Sequence, residues 1–136
     1  MGRQLLYAAS TLCALTCGAC AASPSPVGPL AAGDWGGDHV LVTVSSASAD
    51  FEFDCAHGRT DAPIMLDSRG HFRAPGLLVT EGGPARQPPE AGSQVLYEGD
   101  QRGRRLDFTV TLSRDSQPIG DFSAVLGAAP RLFKCL

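Results

Sequence analysis

The chain has 136 residues, 43% of them apolar and 18% charged, which suits one folded domain and is too short for two independent cores. Its formal net charge of −3 excludes a general electrostatic binder of nucleic acid, which would be basic. No asparagine occurs, Lys134 is the sole lysine, and Ala, Gly, Arg and Pro are abundant, a bias of GC-rich coding rather than of function.

In chain order, the first element is an address. Arg3 and the amino terminus precede an uncharged stretch from Leu5 to Ala19, the n-region and h-region of a bacterial export signal. That stretch of about fifteen residues falls short of the roughly 20 needed to span a bilayer. Gly18-Ala19-Cys20 resembles the lipobox of bacterial lipoproteins, although Cys17 stands where that family prefers an aliphatic residue. The resemblance implies a signal over 1–19 and lipidation at Cys20, with the protein held at the periplasmic face of the envelope. The alternative is ordinary cleavage near Ala19-Cys20-Ala21 or after Ala22 and a soluble periplasmic or secreted protein. Residues 20–32, with prolines at 24, 26 and 29, read as a flexible tether, which leaves 33–136 as a single domain.

Cys13 and Cys17 leave with the signal and Cys20 is lipidated or lost beside the cut. Cys55 and Cys135 then remain alone in an oxidising compartment, and a disulfide between them is the natural pairing.

From Asp34 onward the apolar period is two rather than 3.6. Strands are expected at His39–Ser45, Ala49–His57, Ile64–Asp67, His71–Thr80, Gln94–Glu98, Arg105–Leu112, Ile119–Leu126 and Arg131–Cys135. Within Ala49–His57 the alternation puts Phe51, Phe53, Cys55 and His57 on one face. Asp67-Ser68-Arg69-Gly70, Gly99–Gly103 and Arg114–Pro118 carry turn chemistry, and Glu81–Gly92 reads as a long surface loop. About eight short antiparallel strands predict an all-β fold, a small up-and-down barrel of lipocalin-like outline, with a compact sandwich as the alternative. Trp35, in Gly33-Asp34-Trp35-Gly36, resembles the opening Gly-x-Trp of lipocalin-like barrels, and in such a barrel it would plug one end. Phe51, Phe53, Phe108, Val110, Phe122 and Phe133 are the expected core.

Four segments carry a wider resemblance: Asp34-Trp35-Gly36-Gly37-Asp38-His39, EFDCAHG (Glu52 to Gly58), YEGDQRGRRLDFTVTL (Tyr97 to Leu112) and the C-terminal LFKCL. Together they resemble a widespread family of small exported bacterial proteins of unknown function, over roughly residues 33 to 136. The resemblance implies one exported domain and no particular activity. Phe53-Asp54-Cys55, followed by a glycine, is also similar to the cysteine strand of periplasmic lysozyme inhibitors, too short a match to carry residue roles across.

The motifs of catalysis are missing: no Gly-x-Ser-x-Gly elbow, no His-Glu-x-x-His, no phosphate loop and no dinucleotide fingerprint. His39, His57 and His71 could converge as metal ligands only if the strands brought them together, and oxidation of Cys55 would remove the strongest donor, so no metal is assigned. Arg102, Arg104 and Arg105 form a small basic cluster at a hairpin tip, expected to keep a strand edge soluble. The loop residues Gly83, Pro84, Arg86, Pro88 and Pro89 are the expected place for partner recognition. The sequence therefore describes a non-enzymatic, cofactor-free exported protein that acts by binding, first of all as a protein-interaction or envelope-structural module. The alternatives are a lipocalin-like carrier of a small apolar ligand and a lysozyme-inhibitor-like protein; a carrier requires an apolar cavity open at one end, an interaction module a filled core.

Overall fold

The computed structural model describes residues 27–82 and 92–135. The expected export signal over 1–19, the lipidation candidate Cys20, and the loop candidates Gly83, Pro84, Arg86, Pro88 and Pro89 lie outside the described residues.

Ten strands follow in chain order: β1 Gly28–Pro29, β2 Gly33–Gly37, β3 Val40–Val44, β4 Ala49–Phe53, β5 Ala56–Thr60, β6 Met65–Leu66, β7 His71–Thr80, β8 Ser93–Arg102, β9 Arg105–Leu112 and β10 Pro118–Leu126. Eight of them form a closed antiparallel barrel, each pairing with the next barrel strand along the chain and β10 closing onto β2. The fold is the expected all-β up-and-down barrel. Closure leaves no open sheet edge in the barrel wall, which for a chain this small removes the main route to edge-to-edge aggregation. The period-two pattern decides what lies inside: Val40, Val42 and Val44 of β3, Phe51 and Phe53 of β4, and Leu106, Phe108 and Val110 of β9 are all buried.

Strand membership differs from the expectation in four places. Gly33–Gly37, expected only as a plug around Trp35, is a full barrel strand; Trp35 is wholly buried and its Nε1 donates to the Ala31 carbonyl at 3.0 Å. Ala49–His57 is two strands, because the chain reverses at Asp54-Cys55 and Phe51 pairs with Gly58. The reversal resets the alternation, so His57 points outward and Gly58 and Thr60 take the inner positions. Residues 131–135 are not a strand beyond a single bridge from Arg131 to Asp38, and Phe133, expected in the core, is 69% exposed. Finally, β8 runs on through Gly99 to Arg102, so the turn expected over Gly99–Gly103 shrinks to Gly103-Arg104 between the paired Arg102 and Arg105.

One end of the barrel is covered by the segment before β2 and by the β5–β7 connection. β1 pairs with β6 in a separate two-stranded piece, and Leu30 and Ile64, each 2% exposed, join the core. Residues 27–32, read from sequence as the end of a tether, are thus folded against the barrel. At this end Asp67 accepts the backbone N–H groups of Arg69 and His71, and Gly70 takes a φ of +81°, as the turn chemistry requires. Inside, an aromatic column occupies the middle of the barrel: Tyr97 stacks on Phe51 at 4.0 Å between centroids, Phe51 meets Phe108 at 5.4 Å, and Phe122 meets Phe108 at 5.5 Å and Phe53 at 4.6 Å.

The last residues form a strap. After β10 the chain turns back along β2, with Gly127 N–H donating to the Asp34 carbonyl (2.8 Å) and Arg131 N–H to Gly37 (2.9 Å). It then crosses to the β4–β5 turn, where the Phe133 N–H donates to Asp54 Oδ1 (2.8 Å) and Cys135 N–H to the Asp54 carbonyl (3.0 Å). Cys135 is disulfide-bonded to Cys55 with a Cα–Cα separation of 5.0 Å.

An apolar mouth at the open end of the barrel

The end opposite the β1–β6 piece carries the β2–β3 and β4–β5 turns, the end of β7 and the start of β10. The aromatic column stops short of it. Phe53, Leu78, Val110 and Phe122 form the floor and walls of a pocket of about 340 Å³, with Ala56, Cys55, Thr80 and Ile119 higher up and His39 and Asp54 at the rim. Its lining is almost entirely carbon.

Each wall residue is where it is for a local reason. Phe53 and Val110 are inward positions of alternating strands. Ile119 is set by an irregularity: the β9–β10 register slips between Pro118 and Gly120, so Ile119 is an extra residue at the bulge. Bulges re-aim side chains, and this one leaves Ile119 lining the mouth while 45% exposed. Sequence periodicity missed its role, since a strict alternation has no place for an inserted residue; the Pro-x-Gly around it was the available signal.

The rim is polar and tied together. His39 sits at the β2–β3 turn with a φ of +65°, its N–H donating to the Arg131 carbonyl at 2.8 Å and its Nδ1 lying 2.6 Å from Asp54 Oδ2. The Asp54 carboxyl is held below the usual carboxylate range, first by the Phe133 N–H and then by His39. Lys134 reaches Glu52 (2.8 Å), the Phe53 carbonyl (2.9 Å) and Glu81 (3.0 Å), and Glu81 also meets His57 Nδ1 at 2.6 Å. Lys134, then His57, keeps the Glu81 carboxyl low, and the two glutamates raise Lys134 in turn, Glu52 before Glu81. A smaller hollow of about 120 Å³, lined by Asp38, His39, Arg131 and Phe133, adjoins the mouth through the shared His39.

The three histidines considered as metal ligands are not brought together. His39 pairs with Asp54, His57 with Glu81, and His71, at the other end of the barrel, with Glu98 (3.2 Å) and Asp100 (3.1 Å). Among the described residues no three His, Cys, Asp or Glu side chains are grouped to hold a metal ion. Cys55, in the disulfide, supplies no thiolate.

A second depression, of about 670 Å³, lies on the outer wall over β8, β9 and β10. Its acids are matched from within: Arg73 pairs Glu98, Arg105 pairs Asp107, and Thr109 donates to Asp121 at 2.6 Å. Two residues of the Arg102–Arg105 cluster are accounted for nearby, Arg105 by Asp107 and Arg104 by the Leu126 carbonyl at 2.6 Å.

Comparison of the chain with protein-family models, with curated proteins and with solved structures returns no match. The geometry of the mouth therefore carries the functional reading.

Proposed function

We propose that the protein is an exported, non-catalytic binding protein that takes a small apolar ligand, or the apolar part of an amphiphile, into the open end of its barrel. The observation that carries this reading is the 340 Å³ carbon-lined pocket, closed below by the aromatic column and, among the described residues, open above. Ligand sites run from about 300 Å³ upward and are apolar with a few polar groups for orientation, which describes this mouth and its His39–Asp54 rim. The pocket favours the carrier over the interaction module, for which a filled core was the expectation. Export is supported by the Cys55–Cys135 disulfide, since cytosolic thiols are kept reduced. Anchoring through a lipidated Cys20 rests on the lipobox resemblance.

Titration with a neutral phenylnaphthylamine dye tests the reading. Saturable fluorescence enhancement at one dye per chain is the expected result. Ala56→Phe, which places a ring in the pocket at a half-buried position, should abolish that signal at an unchanged circular dichroism spectrum. Absence of saturable binding to the wild-type chain would overturn the carrier reading.

A further inference from the structure

The covered end of the barrel is apolar on both sides of its cover. Inward, Leu30 and Ile64 join the core and Leu66 packs against it. Outward, strand alternation ordinarily brings polar side chains to water, and here it does not. Pro29 and Met65 are paired directly across β1 and β6, so they share one face, and Val27 and Pro63, two residues before each, extend it. All four are exposed, Val27 by 72% and Met65 by 45%. A strand pair with carbon on both faces is the pattern of one covered on both sides, and among the described residues this one is covered on its inner side alone.

Charges of both signs surround the face. Asp34, Asp61 and Asp67 lie at this end beside Arg69, Arg102 and Arg104. Asp67 accepts two backbone N–H groups, and Arg104 donates to the Leu126 carbonyl. What the face offers a partner is therefore carbon rather than net charge.

The position of the face in the chain points to the partner. Val27 is seven residues on from Cys20, the residue acylated on the anchoring reading, and it enters the cover at the end opposite the mouth. Seven residues reach at most about 25 Å, so an acylated Cys20 keeps Val27 and Met65 within about that distance of the lipid. The mouth lies a barrel's length further, roughly 25 Å for the ten-residue β7 at an ordinary tilt. A link this short also gives the face a high effective concentration of membrane, so a contact too small to bind a free domain is enough to hold a tethered one.

Resting on the anchoring of Cys20, we infer that the outward face of β1 and β6, through Val27, Pro29, Pro63 and Met65, docks on the lipid surface that carries the acyl chains. The apolar mouth then points away from that surface and opens to the aqueous compartment.

The test uses the full chain, processed in a bacterial envelope and reconstituted into phosphatidylcholine vesicles that contain a headgroup-nitroxide lipid as quencher. A fluorophore is attached at Ser68→Cys, in the exposed β6–β7 turn beside the cover, or at Arg114→Cys, in the exposed β9–β10 turn at the mouth. The nitroxide should quench the first label and leave the second nearly untouched, at low and high salt alike. Val27→Asp combined with Met65→Asp, both at exposed positions, should lose most of that difference while the protein stays vesicle-bound with an unchanged circular dichroism spectrum. Equal quenching of the two labels in the parent chain would overturn the docking and keep the anchor. Energy transfer between Ser68→Cys labels on different chains, without lipid quenching, would assign the face to a second copy instead. A difference that survives the two aspartates would show that the link alone sets the orientation, which overturns the role given to the face. Failure of the protein to float with the vesicles would overturn the anchor and the docking together.

Discussion

At the scale of single residues, the barrel depends on a glycine and a phenol that share one space. Tyr97 is wholly buried, its hydroxyl donates to the Leu77 carbonyl at 2.8 Å, and burial pushes its pKa far above the ordinary phenol value. That hydroxyl occupies the room a side chain at position 58 would need: a Cβ there would collide with the Tyr97 oxygen and approach the Leu77 carbonyl to 2.6 Å. Gly58→Ala should therefore destabilise the protein by about 2–3 kcal/mol, as overpacking in a well-filled core does. Tyr97→Phe alone should cost about 1 kcal/mol for the lost hydrogen bond, and should relieve part of the Gly58→Ala penalty when the two are combined. Urea denaturation of the four proteins measures the coupling, and strict additivity would contradict this account. Neither residue was readable beforehand, because a glycine inside a strand pattern gives no hint of which side chain from a distant strand fills its place.

Among elements, the strap was the least legible. LFKCL alternates like a strand, yet the barrel closes from β10 onto β2 and offers it no partner edge. It is held by side chains instead, with the Asp54 carboxylate at the centre and the Lys134 interactions beside it. Both Asp54 and Glu81 titrate below their ordinary range in the folded protein. A carboxyl whose folded pKa is depressed contributes stability that is present above its unfolded value, about 4, and is lost as pH falls through the folded value. The melting temperature should thus decline as pH drops below about 4. Asp54→Asn should show a shallower acid decline than the wild type, since its amide oxygen still accepts the Phe133 N–H but no longer titrates. Superimposable acid limbs for the two proteins would contradict the role given to Asp54. The β4–β5 reversal was hidden for a related reason: Phe-Glu-Phe-Asp-Cys-Ala-His alternates without a break, and only the pairing of Phe51 with Gly58 shows that the chain has turned.

For the whole molecule, the disulfide decides how firmly the strap belongs to the barrel. It closes a loop with a sequence separation of 80 residues, worth roughly 4 kcal/mol in the chain-entropy account. Reduction, or Cys55→Ser, should lower the melting temperature on the order of 20 °C for a domain of this size. A melting temperature unchanged by reduction would show that the hydrogen bonds of the strap suffice without the covalent link. The same link fixes Phe133 beside the mouth.

What the residues determined by themselves is the class of fold and the inward face of most strands. An alternation of polar and apolar side chains is a local property, and so are Asp-x-x-Gly turns, which is why the His71–Thr80 and Arg105–Leu112 strands fall where the pattern places them. The cysteine pairing was equally accessible, because elimination left only Cys55 and Cys135. The apolar mouth was not. Its depth depends on where an aromatic column assembled from β4, β8, β9 and β10 stops, and its rim on a C-terminal segment meeting turns that lie roughly 80 to 90 residues earlier in the chain. Those are sums over contacts between distant strands, and only barrel closure brings them into one place.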